Sequence, residues 1–209
     1  MNLVLEPLVF EYIYALCQKE RPDMLLISGC TGSGKSTLAK RISEEMRVSL
    51  LCIDDYFKDE VEMEIVIPEL NIRQWDSPAC YKWDVLINDL QNIFRNRITI
   101  MPNFSHKHSR QMGWKELLLE KTPLVLEGLY SMRPEILSVV QNLRLKVFSI
   151  FLDIPEEVRW QRKLTRDVME RNEDPSTLRT WFDEVIKPAE DKWVKQQSAS
   201  ADIRVVQSF

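Results

Sequence analysis

Apolar residues recur at helical spacing over residues 3 to 20, where Leu5, Leu8, Val9, Tyr12, Ile13, Leu16 and Cys17 share one face. Arg21-Pro22-Asp23 breaks that pattern. Met24 to Ser28 (MLLIS) is a short apolar run closed by glycine, the mark of a buried strand. A helix is predicted from about Lys35 to Met46, a second strand over Ser49 to Ile53, and a helix over Pro78 to Arg95 with proline near its start. Ile98 to Met101 is compatible with a short strand, and Pro123 to Leu126 and Lys146 to Leu152 are two further apolar runs. Pro155 opens a charged helix that reaches about Glu170. Another helix runs from Pro175 towards Gln197, and Ala201 to Val206 reads as the last strand. Strands alternating with helices predict a parallel sheet covered on both faces.

No repeat, low-complexity tract or linker interrupts the 209 residues, so residues 1–209 read as one domain. Apolar residues make up 44%, charged residues 29%, and the net charge is −4. This balance excludes disorder and fibrous classes, and its acidic sign argues against a nucleic-acid partner. Apolar runs such as Val147 to Leu152 are too short for a bilayer, so no membrane role is expected. An acidic residue sits where a signal peptide would be basic, which gives a cytoplasmic expectation. The four cysteines lack CxxC spacing, so reduced thiols are expected rather than a metal cluster.

Glycine carries the strongest signal. Only five occur, and Gly29, Gly32 and Gly34 fall within one six-residue stretch. Gly29-Cys30-Thr31-Gly32-Ser33-Gly34-Lys35-Ser36 fits the P-loop pattern G-x-x-x-x-G-K-[ST] at every fixed position. Glycines let consecutive N–H groups converge on phosphate oxygens, and the helix that follows adds its positive end. Gly29, Thr31, Gly32, Ser33, Gly34, Lys35, Ser36 and Thr37 are therefore the phosphate-binding candidates, with Lys35 reaching the β/γ-phosphates and the Ser36 hydroxyl on Mg²⁺. The Asn-Lys-x-Asp signature of GTP switches has no counterpart, since the chain contains no Asn-Lys dipeptide.

Ligands of α/β sheets bind beyond the carboxyl ends of strands. Asp54 and Asp55 follow LLCI, Glu127 follows PLVL, and Asp153 follows VFSIFL. A carboxylate at such an end can hold Mg²⁺, accept a proton, or simply cap a loop. Asp153 precedes Ile154-Pro155, where helix initiation accounts for it. Arg159, Arg162, Lys163 and Arg166 share a helical face. Interspersed acids allow a solvated, salt-bridged helix; the functional alternative is a lid over residues 159–175 whose cations close on a transferring phosphoryl group.

Taken in order, SGCTGSGKST, IDDYFK, WDSPACYKWDVL, IMPNFSHKHSR, PLVLEGLY, FLDIPEEVRWQRKLTRDVMER and ADIRV resemble the uridine kinase-like nucleoside kinases of the phosphoribulokinase/uridine kinase superfamily. The resemblance covers roughly residues 24 to 206 and leaves the N-terminal helix, residues 1–22, outside. IDDYFK followed by QWD is also similar to nicotinamide riboside kinases. The resemblance implies a three-layer α/β/α P-loop NTPase fold with a five-stranded parallel sheet in the order 2-3-1-4-5 and a helical lid. It implies Asp54 as the general base for a 5′-hydroxyl, with Tyr56 in the same substrate-facing stretch. Asp76 would hold ribose hydroxyls, His108, favoured over His106, would contact the base with Arg110 beside it, and Glu127 would serve the metal site. Arg162, Arg166 and Arg171 would be lid arginines. Three departures stand out: Phe104 where a tyrosine is common, Lys163 for a lid arginine, and Glu173 for the second arginine of R-G-R-D. They leave ATP chemistry intact and bear on uridine or cytidine specificity.

The expectation is an ATP- and Mg²⁺-dependent kinase acting on a primary hydroxyl of a small molecule, foremost the 5′-hydroxyl of a uridine- or cytidine-like ribonucleoside. Another hydroxyl substrate (nicotinamide riboside, a sugar, a vitamin precursor) and a non-catalytic ATP-binding module are the alternatives. The N-terminal helix has two open roles, packing on the domain or forming a subunit contact in a homo-oligomer.

Overall fold

The computed structural model describes residues 7–171 and 173–206, with the side chains of residues 7, 8 and 171 set aside. The sheet strands are β1 (Met24–Gly29), β2 (Leu50–Cys52), β7 (Leu124–Glu127), β8 (Val147–Asp153) and β9 (Ile203–Val206). Between them in sequence lie two hairpins, β3 (Ile65–Ile67) with β4 (Ile72–Arg73) and β5 (Ile98–Ser105) with β6 (Arg110–Leu118). The helices are α1 (Pro7–Glu20), α2 (Lys35–Met46), α3 (Trp83–Asn96), α4 (Pro134–Asn142), α5 (Glu156–Arg171) and α6 (Pro175–Trp181).

The five sheet strands lie side by side as β2-β7-β1-β8-β9, every pairing parallel. Counted along the chain among themselves, that is 2-3-1-4-5. Numbering over all nine strands differs because the four hairpin strands stand outside the sheet.

β1 and β7 are buried along their whole length, which is why they read as continuous apolar runs. Alternate residues of β1 feed two cores. Met24 and Leu26 meet Leu86, Leu90 and Ile93 of α3 and Ile136 and Val139 of α4. Leu25 and Ile27 meet Leu38, Ala39 and Ile42 of α2. The same second core takes Phe10, Ile13 and Cys17, so α1 packs on the domain. Of the predicted face Ile13 and Cys17 are buried and Val9 partly so, whereas Tyr12 is 59% exposed and Phe10 is buried in its stead. Leu5 and the Leu8 side chain lie outside the described residues.

Several elements differ from expectation. The predicted helix at Pro78 begins as a short turn capped by Ser77, whose Oγ accepts from the Ala79 N–H at 3.2 Å, and α3 starts only at Trp83. Ile98–Met101 extends into an eight-residue strand that pairs with β6 instead of joining the sheet. The β3–β4 hairpin, β6 and α4 are additions to the predicted elements, although Ile136, Val139, Val140 and Leu143 follow Pro134 at helical spacing. Beyond α6 the helix widens into π-turns at Phe182–Ile186 and Glu190–Val194 and ends as a tighter turn at Lys195–Ser200. Pro188 lies between the two π-turns; it lacks an N–H and its ring crowds the preceding turn, which widens the ladder. No described helix is long and apolar enough to cross a membrane.

Ile13→Ala should cost about 2–5 kcal/mol in a urea titration, the loss typical of emptying a closed core. A loss under about 0.5 kcal/mol, the range of ordinary surface changes, would mean that α1 is not integral to the core.

Candidate active site

β1 ends at Gly29 and α2 begins at Lys35, so five residues turn the chain from strand to helix. Gly32 has φ 74° and Gly34 φ 97°, both in the left-handed region. A Cβ on Gly32 would sit 2.4 Å from the Arg159 carbonyl oxygen, so only glycine lets the loop rest on α5. No side chain caps the start of α2. Its first amide groups and the positive end of its dipole are therefore left for an anion. Thr31, Gly32, Gly34, Lys35, Ser36 and Thr37 line a cleft of about 1590 Å³, while Gly29 and Ser33 lie buried behind it. Lys35 Nζ donates to the Cys30 carbonyl at 3.0 Å, which folds the ammonium over the loop.

Parallel register brings the acids to the same edge. Glu127 pairs with Ile27 on one side and Cys52 on the other. Its Oε1 accepts from Ser36 Oγ at 3.0 Å and from Cys52 Sγ at 2.9 Å. Burial raises the Glu127 pKa and Asp54 adds to this, while Lys35 opposes it. Asp54 shares the cleft, and its Oδ1 accepts from the Tyr81 hydroxyl at 3.2 Å. The donors here are oxygens, which suit Mg²⁺, an ion that binds through one or two carboxylates together with phosphates and water. Gly128, just after Glu127, has no room for a side chain: a Cβ there would meet Ile53 Cβ at 2.7 Å, in the turn that follows β2.

The same cleft holds Asp76, 8% exposed. Burial pushes its carboxyl up to about 7, partly offset by Lys163 and by the Trp181 indole. Asp76 Oδ2 and Trp181 Nε1 are both buried without a hydrogen bond of normal geometry, although the indole lies near enough to ease the carboxylate charge. Lys163 Nζ sits 4.4 Å from the Trp181 ring centroid and donates to Asp167 at 2.5 Å. Arg166 Nε donates to the other Asp167 oxygen at 2.6 Å. Burial works against the Asp167 charge, yet these two cations hold its pKa down at about 2. Aromatic side chains form part of the cleft wall. Phe57 stacks on Tyr81 at 4.4 Å and meets Trp75, Phe104 and His106 at 5.4, 5.5 and 6.1 Å between ring centroids.

Arg162 and Arg166 line the cleft from α5, as does Glu173 beyond it. Arg171 ends α5, and its side chain lies outside the described residues. Three candidates fall elsewhere. Tyr56 is fully buried away from the cleft, donating to Asp89 Oδ2 at 2.9 Å, because the turn after β2 points Asp54 and Tyr56 to opposite sides. His108 bonds Ser105 at 3.0 Å on the exposed hairpin turn, and neither it nor Arg110 lines the cleft; His106 does. Tyr81, Trp75 and Trp181 went unnoticed in sequence. The QWD triplet was the available sign for Trp75, since its tryptophan adjoins Asp76; Trp181 had none.

The model of the Phosphoribulokinase / Uridine kinase family matches residues 24–208. The chain belongs to this family. It is 24% identical over 189 residues to a uridine kinase of Ureaplasma parvum serovar 3, covering 88% of each chain. It is 28% identical over 186 residues to a uridine kinase of Deinococcus deserti, covering 88% of this chain and 86% of that one. A solved structure described as a possible uridine kinase from Bacillus stearothermophilus superposes with a TM-score of 0.64 at 18% identity, over 94% of this chain and 98% of that one, and so shares its fold. At the level of the family, then, this protein is a P-loop kinase, with its nucleotide loop and acids in one cleft.

This kinase carries a pH signature in Asp76. Its folded pKa of about 7 exceeds the ordinary 3.8, so the fold favours the protonated form. The group's contribution to stability is greatest below about pH 4 and falls as pH rises to about 7. Asp76→Asn should therefore gain melting temperature over the parent at about pH 8 and little at about pH 4. An equal change at both pH values would remove Asp76 as the titrating group.

Proposed function

We propose that this family member transfers the γ-phosphoryl group of ATP to a primary hydroxyl of a small molecule, foremost the 5′-hydroxyl of a ribonucleoside. One observation carries the reading: Asp54 lines the same cleft as the P-loop, Asp76 and the aromatic side chains of Phe57, Trp75 and Phe104. A phosphate group and a hydroxyl-bearing ring could thus occupy one space that a carboxylate also lines.

In this reading Asp54, steadied by Tyr81, accepts the proton as the acceptor oxygen bonds to the γ-phosphorus and the bridging oxygen departs with ADP. Lys35 leaves the Cys30 carbonyl for the β/γ-phosphates. Ser36 and Glu127 would hold Mg²⁺, whose charge offsets that of the phosphates. Arg162 and Arg166 supply positive charge from α5. Asp76 accepts from ring hydroxyls, which favour its ionised form. The work is mainly positioning and electrostatics.

A second acceptor, nicotinamide riboside, is supported by the wall itself. Phe57, Trp75 and Phe104 present ring faces and edges, and Glu173 adds negative charge to the cleft, the Glu60 carboxylate being paired with Arg73 at 3.1 Å. Such a lining suits a cationic aromatic base.

ADP release measured with Mg·ATP and a panel of uridine, cytidine, nicotinamide riboside and simple sugars should single out one nucleoside. Release with none of the panel or other small hydroxyl compounds would favour a non-catalytic ATP module. With the active acceptor, Asp54→Asn should lower kcat about 100-fold or more, the scale of a lost general base, with ATP KM nearly unchanged. A kcat within about twofold of the parent would rule out Asp54 as the base.

A further inference from the structure

The P-loop is gripped from outside by an ion pair that its motif does not contain. The Thr31 N–H donates to Glu190 Oε1 at 2.6 Å, and the Thr31 carbonyl accepts from Arg159 Nη1 at 3.0 Å. Arg159 Nη1 also meets Glu190 Oε2 at 2.9 Å and Oε1 at 3.1 Å. A second anchor, Arg159 Nε to the Ile154 carbonyl at 3.1 Å, fixes the guanidinium to the start of α5. The two side chains are only 3% and 2% exposed. Gly32 then rests on the Arg159 backbone with no room for a Cβ. Both polar edges of the Thr31 residue are thus held, one by α5 and one by the C-terminal π-turn.

This arrangement is electrostatically delicate. A buried carboxylate against a phosphate-binding loop opposes the charge that the loop exists to bind. Arg159 cancels it. Without the arginine, Glu190 would be an uncompensated buried anion beside the cleft. Arg159 also lies in the first turn of the helix whose following residues Arg162 and Arg166 line that cleft. A shift of the α5 base would move the loop and the lid cations together.

We propose that Arg159 and Glu190 are positioning residues for the nucleotide: paired, they set the Thr31–Gly32 backbone and keep the loop free of net negative charge, coupling α5 to the phosphate cradle. The proposal rests on the nucleotide reading of the loop and on no particular acceptor. It is tested by titrating the full-length chain calorimetrically with Mg·ATP in the absence of acceptor, with a thermal melt for each variant. Arg159→Met should weaken ATP binding about tenfold or more, because it strands the Glu190 charge. Adding Glu190→Gln to that variant should restore affinity to within about threefold of the parent, since the charge is gone and the amide oxygen still accepts from Thr31. A pair with only a structural role would leave the affinity of the folded variants unchanged. Unchanged affinity in folded Arg159→Met, or a double variant no tighter than the single, overturns the proposal. Should Arg159→Met fail to fold, Arg159→Lys keeps the charge but not the forked geometry. It should weaken ATP several-fold while still melting cooperatively, and parental affinity in it would overturn the proposal. A parent chain that binds no ATP would instead sink the nucleotide reading itself.

Discussion

The molecule is organised by one backbone constraint: the chain must leave a doubly buried central strand and, within Cys30–Gly34, enter α2 with its first amides uncapped. The turn is possible because Gly32 and Gly34 take left-handed conformations. Putting β1 at the centre of the sheet places β7 on one side and β8 on the other. Glu127 then ends one neighbour, and the chain after the other supplies α5 to close on the loop. The anion site, the acids and the cations meet because parallel strands all point their carboxyl ends to one edge.

Charge burial is the second organising force, and it runs through α5. Arg159, Lys163 and Asp167 lie at four-residue intervals on one face and are all buried. Each has a specific partner: Glu190 for Arg159, and Asp167 for Lys163. Such pairs cost desolvation, and removing one member leaves the other exposed to the full penalty. This stripe therefore works as a specific frame between α5, the C-terminal helix and the loop. Arg162 and Arg166, which line the cleft together with Lys163, occupy the neighbouring stripe, and Arg166 also bonds Asp167. The helix thus combines buried ion pairs with cations that line the cleft.

The legible parts were those governed by local chemistry. MLLIS, PLVL and VFSIFL are apolar because both faces of their strands are covered, and the glycine cluster follows from the geometry of the turn. The strand-end acids could be placed because β-strand ends in a parallel sheet converge. The hairpins were less legible. β5 and β6 carry exposed apolar residues such as Ile100 and Trp114, so alternation did not point to a core. Within the site, Asp54 and Tyr56 are two residues apart, yet a short turn sends one to the cleft and the other to Asp89. His106 and His108 are also two apart, yet His106 packs on Phe57 and Phe104 and lines the cleft while His108 bonds Ser105 on the hairpin turn.

By itself, the sequence determined the phosphate cradle, the parallel α/β layering and the acids at strand ends, because each depends on residues adjacent in the chain. Tertiary structure alone decided what reaches across. Glu190 lies 159 residues from the Thr31 amide it holds, and Tyr81 lies 27 residues from Asp54. Trp181 meets Lys163 and Asp76 only when α6 folds back over the cleft. Such pairings have no periodicity and no fixed spacing. They exist because packing brings distant groups out of water together, where each buried charge or donor must find a partner or bear the cost.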